Sequence, residues 1–211
     1  MKKISLLLLI SVLCFFFANF LSAEDIFQAT KKKAAEVQTL KLGFDNYLLG
    51  YELNAEQKKI AERHPLPVAE SKKWTYKFQD KEIFVVADKK TNIILGIYKE
   101  QEKASRSDVK AMVGDLMMHF YEPTLMAHDK MIYWAYDKKG KISQALFVIA
   151  KETGDLETLA TVKFSSTEPI FREQKKPDKD GEKIKAEEKT ADIYVIITSG
   201  PLSSFFIAQN R

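Results

Sequence analysis

The sequence predicts an α+β fold: an antiparallel sheet built from two helix-plus-three-strand meander units, with an N-terminal helix and a C-terminal strand. Three observations lead there. Two amphipathic helical segments, 55–63 and 106–121, are each followed by three short runs rich in β-branched and aromatic residues. Polar clusters such as Gln79-Asp80-Lys81, Asp88-Lys89-Lys90-Thr91 and Asp137-Lys138-Lys139-Gly140 separate those runs and supply tight turns. The chain of 211 residues is 45% hydrophobic and 29% charged, a balance that supports a packed core and excludes a mostly disordered chain.

The chain opens with Lys2 and Lys3, followed by 18 residues, Ile4 to Leu21, interrupted by only Ser5, Ser11 and Asn19. Ser22-Ala23 and acidic Glu24-Asp25 come next. A positive start, an apolar stretch and a small residue before a polar continuation form a secretory signal, with cleavage expected after Ala23. The rival reading is an uncleaved inner-membrane anchor over residues 4–21, since that length reaches the lower limit for a spanning helix. Cys14 is a poor lipidation site because bulky Leu13 precedes it. Removal of residues 1–23 leaves 188 residues, lowers Lys+Arg from 33 to 31 and the net charge from +4 to +2, and discards the single cysteine. Thiol nucleophiles, redox pairs and cysteine-ligated metals are then excluded, and so small a charge argues against nucleic acid as a partner.

Each element follows in turn. Residues 25–41 read as a helix with Ile26, Ala29, Lys33, Val37 and Leu40 along one face; its Lys31-Lys32-Lys33 run reads as a solvated surface. Gly43 ends that pattern. Asn54 caps the helix 55–63, which stops before Pro65 and Pro67. Strands are expected at 73–78, 82–87 and 92–99. Val109, Met112, Val113, Leu116, Met117 and Phe120 then mark the second amphipathic helix, capped by Ser105 or Ser107 and stopped by Pro123. Strands at 130–137, 142–150 and 156–165 complete the second unit. Residues 173–192 hold six lysines and seven acids around Pro177 and Gly181 and read as a charged loop. Residues 192–198 read as a fully buried strand, and Leu202–Ala208 as a strand or short helix returning to the body.

The organisation is thus a signal at 1–23, a helical segment at 24–53, an α+β domain at 54–172, a charged loop at 173–191 and a returning segment at 192–211. Within the domain, 54–100 and 105–166 read as tandem copies. Ile83-Phe84-Val85-Val86-Ala87-Asp88-Lys89 matches Leu146-Phe147-Val148-Ile149-Ala150-Lys151-Glu152, and Trp74 matches Trp134. Over residues 55–165 this layout resembles the helix-plus-meander modules of outer-membrane assembly lipoproteins and β-lactamase-inhibitory proteins. The resemblance implies the architecture alone.

Chemical motifs are sparse. The chain lacks the nucleophile-elbow, phosphate-loop and paired-histidine zinc signatures, so no cofactor and no catalytic residue is expected. The densest polar cluster, His119, Glu122, His128 and Asp129, supplies candidate metal ligands, with a helix stop and a turn as the preferred structural use. Trp74, Tyr133 and Trp134 are candidates for an aromatic partner platform, with burial in the core as the preferred alternative. The expected function is that of an exported, periplasmic or secreted, non-enzymatic bacterial envelope protein that binds another protein or an envelope component. Small-molecule binding and a divergent metal-binding or hydrolytic role are the alternatives. Membrane contact is expected through an uncleaved N-terminal segment alone.

Overall fold

The computed structural model describes residues 23–66, 73–171 and 190–210. It is an α+β structure whose mainly antiparallel sheet is built from two meanders. The elements are α1 (Ala23–Gln38), β1 (Gly43–Phe44), β2 (Tyr47–Leu48), α2 (Ala55–Arg63), β3 (Thr75–Asp80), β4 (Ile83–Asp88), β5 (Ile94–Ala104) and α3 (Arg106–Phe120), then β6 (Leu125–Ala127), β7 (Met131–Asp137), β8 (Gly140–Lys141), α4 (Gln144–Thr153), β9 (Ala160–Ser166), β10 (Ala191–Thr198) and α5 (Gly200–Gln209). The main sheet runs β3-β4-β5-β10-β9-β7-β6, and β8 continues alongside β7.

The capped helices form where the sequence places them. Asn54 accepts from the backbone N–H groups of Glu56 and Gln57 while Gln57 returns a side-chain acceptor to the Asn54 N–H, a complete capping box. Ser105 and Asp108 do the same for α3. The α3 stripe Val109, Val113, Leu116 and Phe120 is buried. Together with Tyr47 and Leu49 from the β1–β2 region, it joins one core with the inward residues of the sheet: Phe78, Val85, Ile97, Ile193, Val195, Ile197, Val162, Phe164, Ile132 and Trp134. Helix α1 packs against α5, and Gln38 Nε2 donates to the Gly50 carbonyl at 2.8 Å. Gly50 takes φ +82, and a Cβ there would meet the Ala34 carbonyl at 3.0 Å and the Val37 side chain at 3.3 Å. Glycine is required both by the turn and by the close passage of α1.

Three sequence expectations change. Residues 142–150 are not a strand: Gln144–Thr153 is helix α4, with Ser143 accepting from the Leu146 N–H as its N-cap and Gly154 in the left-handed region as its C-cap. A short apolar run carries too little periodicity to tell helix from strand, and the two caps decide it. The proposed match of 83–89 with 146–152 therefore pairs a strand with a helix. The second meander is instead β7-β9-β10, so the strand expected to stand apart at the C-terminus is its third member. That strand is not fully buried: Ile193, Val195 and Ile197 point inward, whereas Ile196 on the other face is 37% exposed. The charged loop expected at 173–191 lies almost wholly outside the described residues.

One buried hydroxyl joins two short strands end to end. β6 and β8 both pair with β7, and Thr124 sits between them at 0% exposure. Its Oγ1 donates to the Ile142 carbonyl at 2.6 Å and accepts from the Ala135 N–H at 3.0 Å. Replacing it by isosteric valine leaves both backbone groups without this partner. Thr124→Val is expected to lower the unfolding free energy by about 2–4 kcal/mol in urea titration, at roughly 1–3 kcal/mol per unsatisfied buried group. A loss under ~0.5 kcal/mol would show that the bridge contributes nothing.

Candidate docking surface on the outer sheet face

Alternation along the strands divides the sheet into two faces. The register aligns Phe84 with Tyr98, Tyr98 with Ile196, Ile196 with Lys163 and Lys163 with Tyr133 across five strands. This row lies opposite the core. Phe84 and Tyr98 stack with centroids 4.4 Å apart and planes at 9°. Burial, with a smaller contribution from nearby Glu100, raises the Tyr98 phenol above its ordinary pKa.

Helix α4 covers only one end of this face. Phe147 meets Tyr133 edge-on, centroids 6.0 Å apart. No residue of α4 is buried. Leu146, Val148 and Ile149 are 61%, 43% and 57% exposed, an apolar cluster at the centre of the helix. Solvated helices ordinarily turn polar residues outward. Tyr133, Ile196 and α4 therefore make a partly open apolar surface, crossed by Lys163.

The residues singled out in the sequence scatter. Trp134 is wholly buried, its Nε1 donating to the Tyr121 carbonyl at 2.9 Å. Trp74 is 41% exposed just before edge strand β3, and Tyr133 belongs to the outer face of β7. They form no common platform; β3 and β7 lie toward opposite edges of the sheet. The expectation that Trp74 packs inward also fails, and buried Phe78 holds that strand to the core instead.

His119 is exposed at the end of α3, edge-on to Phe120. Glu122 accepts from Lys141 Nζ through its backbone carbonyl at 2.7 Å. His128 and Asp129 form the β6–β7 turn, both with positive φ, and the Asp129 carboxylate accepts from the Phe171 N–H at 3.0 Å. Among the described residues, no three His, Cys, Asp or Glu side chains come together to hold a metal ion. His119 lies at the end of α3, Glu122 in the loop after it, and His128 and Asp129 in the β6–β7 turn. His119 also borders an open pocket of about 250 Å³ with Leu40, Leu42, Tyr121, Tyr136 and Lys141.

Sequence reasoning missed Leu146, Val148 and Ile149 as surface residues because it placed them in a strand. Ser143 three residues before Leu146, with Gly154 just past the apolar run, was the available helix signal. Comparisons with protein-family models, curated proteins and solved structures find no match to the chain.

Buried Tyr136 gives a test of the packing beside that pocket. Burial pushes its phenol up to about 12. The folded pKa exceeds the ordinary value of 10.0. Folding stability is therefore unaffected by this group below the ordinary value and falls as pH rises from there through the folded pKa. Ultraviolet titration is expected to show the Tyr136 phenolate signal, identified by difference from Tyr136→Phe, largely absent at about pH 11 while the protein remains folded. Its full appearance near the ordinary tyrosine pKa would contradict the burial.

Proposed function

We propose that this chain is an exported, non-enzymatic protein of a bacterial envelope that binds another protein through α4 and the adjoining outer sheet face. The observation that carries the proposal is α4 itself, where three aliphatic side chains face solvent and none is buried. Covering Leu146, Val148 and Ile149 would each contribute roughly 1.5–3 kcal/mol if burial were complete, which is enough for these side chains to anchor an interface. Aliphatic groups supply contact area and no nucleophile, acid or base, so the chemistry of this surface suits binding.

Export rests on the sequence: the Lys2-Lys3 start, the apolar stretch 4–21 and the small residues before Glu24. Among the described residues no helix is long and apolar enough to cross a membrane. N-terminal sequencing of protein recovered from the cell envelope is expected to begin at Glu24; a start at Met1 would replace cleavage with anchoring.

The docking reading is tested by a photoreactive residue placed at Leu146, Val148 or Ile149 in cells, with exposed Glu62 on α2 as the control position. The expected result is a discrete crosslinked product from α4 that is absent at Glu62. The product from the Val148 probe should be abolished by L146K/I149K. Because these side chains are exposed, the double substitution should change unfolding free energy by less than about 1 kcal/mol, near the usual range for surface changes. Equal labelling at all positions, or none from α4, would remove the proposal.

A further inference from the structure

The fold gathers lysines and aromatic rings from three separate sequence segments at one corner of the molecule. Lys31 Nζ lies 4.8 Å from the Phe27 ring centroid on α1, and Lys90 Nζ from the β4–β5 turn lies 5.8 Å from the same ring. In that turn, Lys89 Nζ is 5.7 Å from the Tyr76 ring and the Lys89 N–H donates to the Trp74 carbonyl at 2.9 Å. Lys73 Nζ stands 4.5 Å from the ring of Trp74. Lys31, Lys32, Lys73, Lys89 and Lys90 are all exposed. Four carboxylates belong to the same segments. Glu24 and Asp25 open α1, and buried Asp88 accepts from Thr91 Oγ1 at 2.6 Å and from the Lys90 N–H at 3.0 Å. Lys33, the third lysine of its run, is instead paired with Glu36 at 2.7 Å.

We infer that this corner, centred on Phe27, Lys31, Trp74 and Lys90, is a docking surface for an anionic phospholipid membrane. The chemistry suits a lipid interface: lysine ammonium groups reach phosphate headgroups while the aromatic rings and lysine stems cover the less polar layer beneath. The patch is built on tryptophan and lysine, not on arginine, whose planar fork favours specific phosphate and nucleic-acid recognition. The Lys31-Lys32 pair thus acquires a role that its reading as a solvated helix face does not give it. The patch lies by β3 and β4, and α4 lies by β7 toward the other edge of the sheet, so membrane contact leaves α4 open. The inference does not rest on the α4 docking reading.

Trp74 provides the readout, because it is 41% exposed whereas Trp134, the other of the two tryptophans, is 0% exposed. The protein as processed by the cell is mixed with vesicles of phosphatidylcholine with or without phosphatidylglycerol at roughly a third of the lipid, with brominated acyl chains as quenchers. The expected result is quenching on the anionic vesicles that weakens as salt rises from about 50 to 500 mM and is lost in W74F. Each lysine removed is expected to lower partitioning about fivefold, so K31Q/K90Q lowers it roughly 25-fold, with the circular dichroism spectrum unchanged. Equal quenching on phosphatidylcholine alone, no effect of K31Q/K90Q, or tighter binding of the patch to a short DNA duplex than to the anionic vesicles at equal salt would each overturn the inference.

Discussion

The structure depends on the antiparallel pairing of β5 with β10. Gly96, Ile97, Tyr98, Lys99 and Glu100 align with Thr198, Ile197, Ile196, Val195 and Tyr194. This seam joins β3-β4-β5 to β10-β9-β7, so two small meanders become one sheet. It also brings Ile97 beside Ile197, and thus joins the inward rows of both halves into a single core. The two strands are far apart in the chain, so closing the seam carries the loop-closure entropy of a long intervening segment. Without it, the β5 and β10 edges would each lose their pairing partner.

Both ends of the molecule are organised around that seam. On the core face, α3 runs back from the end of β5, its buried stripe ending at Phe120, which contacts both Phe44 and Trp134. After β10, Ser199 Oγ donates to the Leu159 carbonyl at 2.7 Å and accepts from the Leu202 N–H, starting α5 and fixing the entry to β9 in the same step. The opposite face receives α4 at one end. That asymmetry leaves apolar side chains at the surface, and it is the structural basis for reading the outer face as an interface.

Local signals made much of the fold legible in the sequence. Asn54 and Ser105 specify helix starts through their own hydrogen bonds, and the α3 stripe has enough repeats to declare its period. The Asp137–Gly140 hairpin also forms, with Gly140 at φ +122. The failures arise where strand-like residues outweigh a local cap signal, or where burial depends on long-range neighbours. Leu146-Phe147-Val148-Ile149 has strand-like residues, but its caps and its place over Tyr133 make it helical. The apolar run of β10 suggests full burial, yet pairing on both sides covers its backbone while Ile196 stays on the open face. The candidate site was less legible than the fold for the same physical reason. Residue type marks His119, Glu122, His128 and Asp129 as chemically capable, but only tertiary placement shows them serving separate local roles. It likewise takes the folded chain to bring Phe27 and Lys90 to one corner.

Helix α4, none of whose residues is buried, rests on a sheet whose two halves are joined by the β5–β10 seam. Native-state hydrogen exchange measures this directly, because each amide reports the free energy of the opening that exposes it. The hydrogen-bonded amides of Ile193–Thr198 are expected to exchange only through global unfolding, while those of Phe147–Lys151 exchange through local openings at much lower free energy. Equal protection of α4 and β10 would contradict this, since α4 would then be an integral part of the cooperative core and not a surface available to a partner.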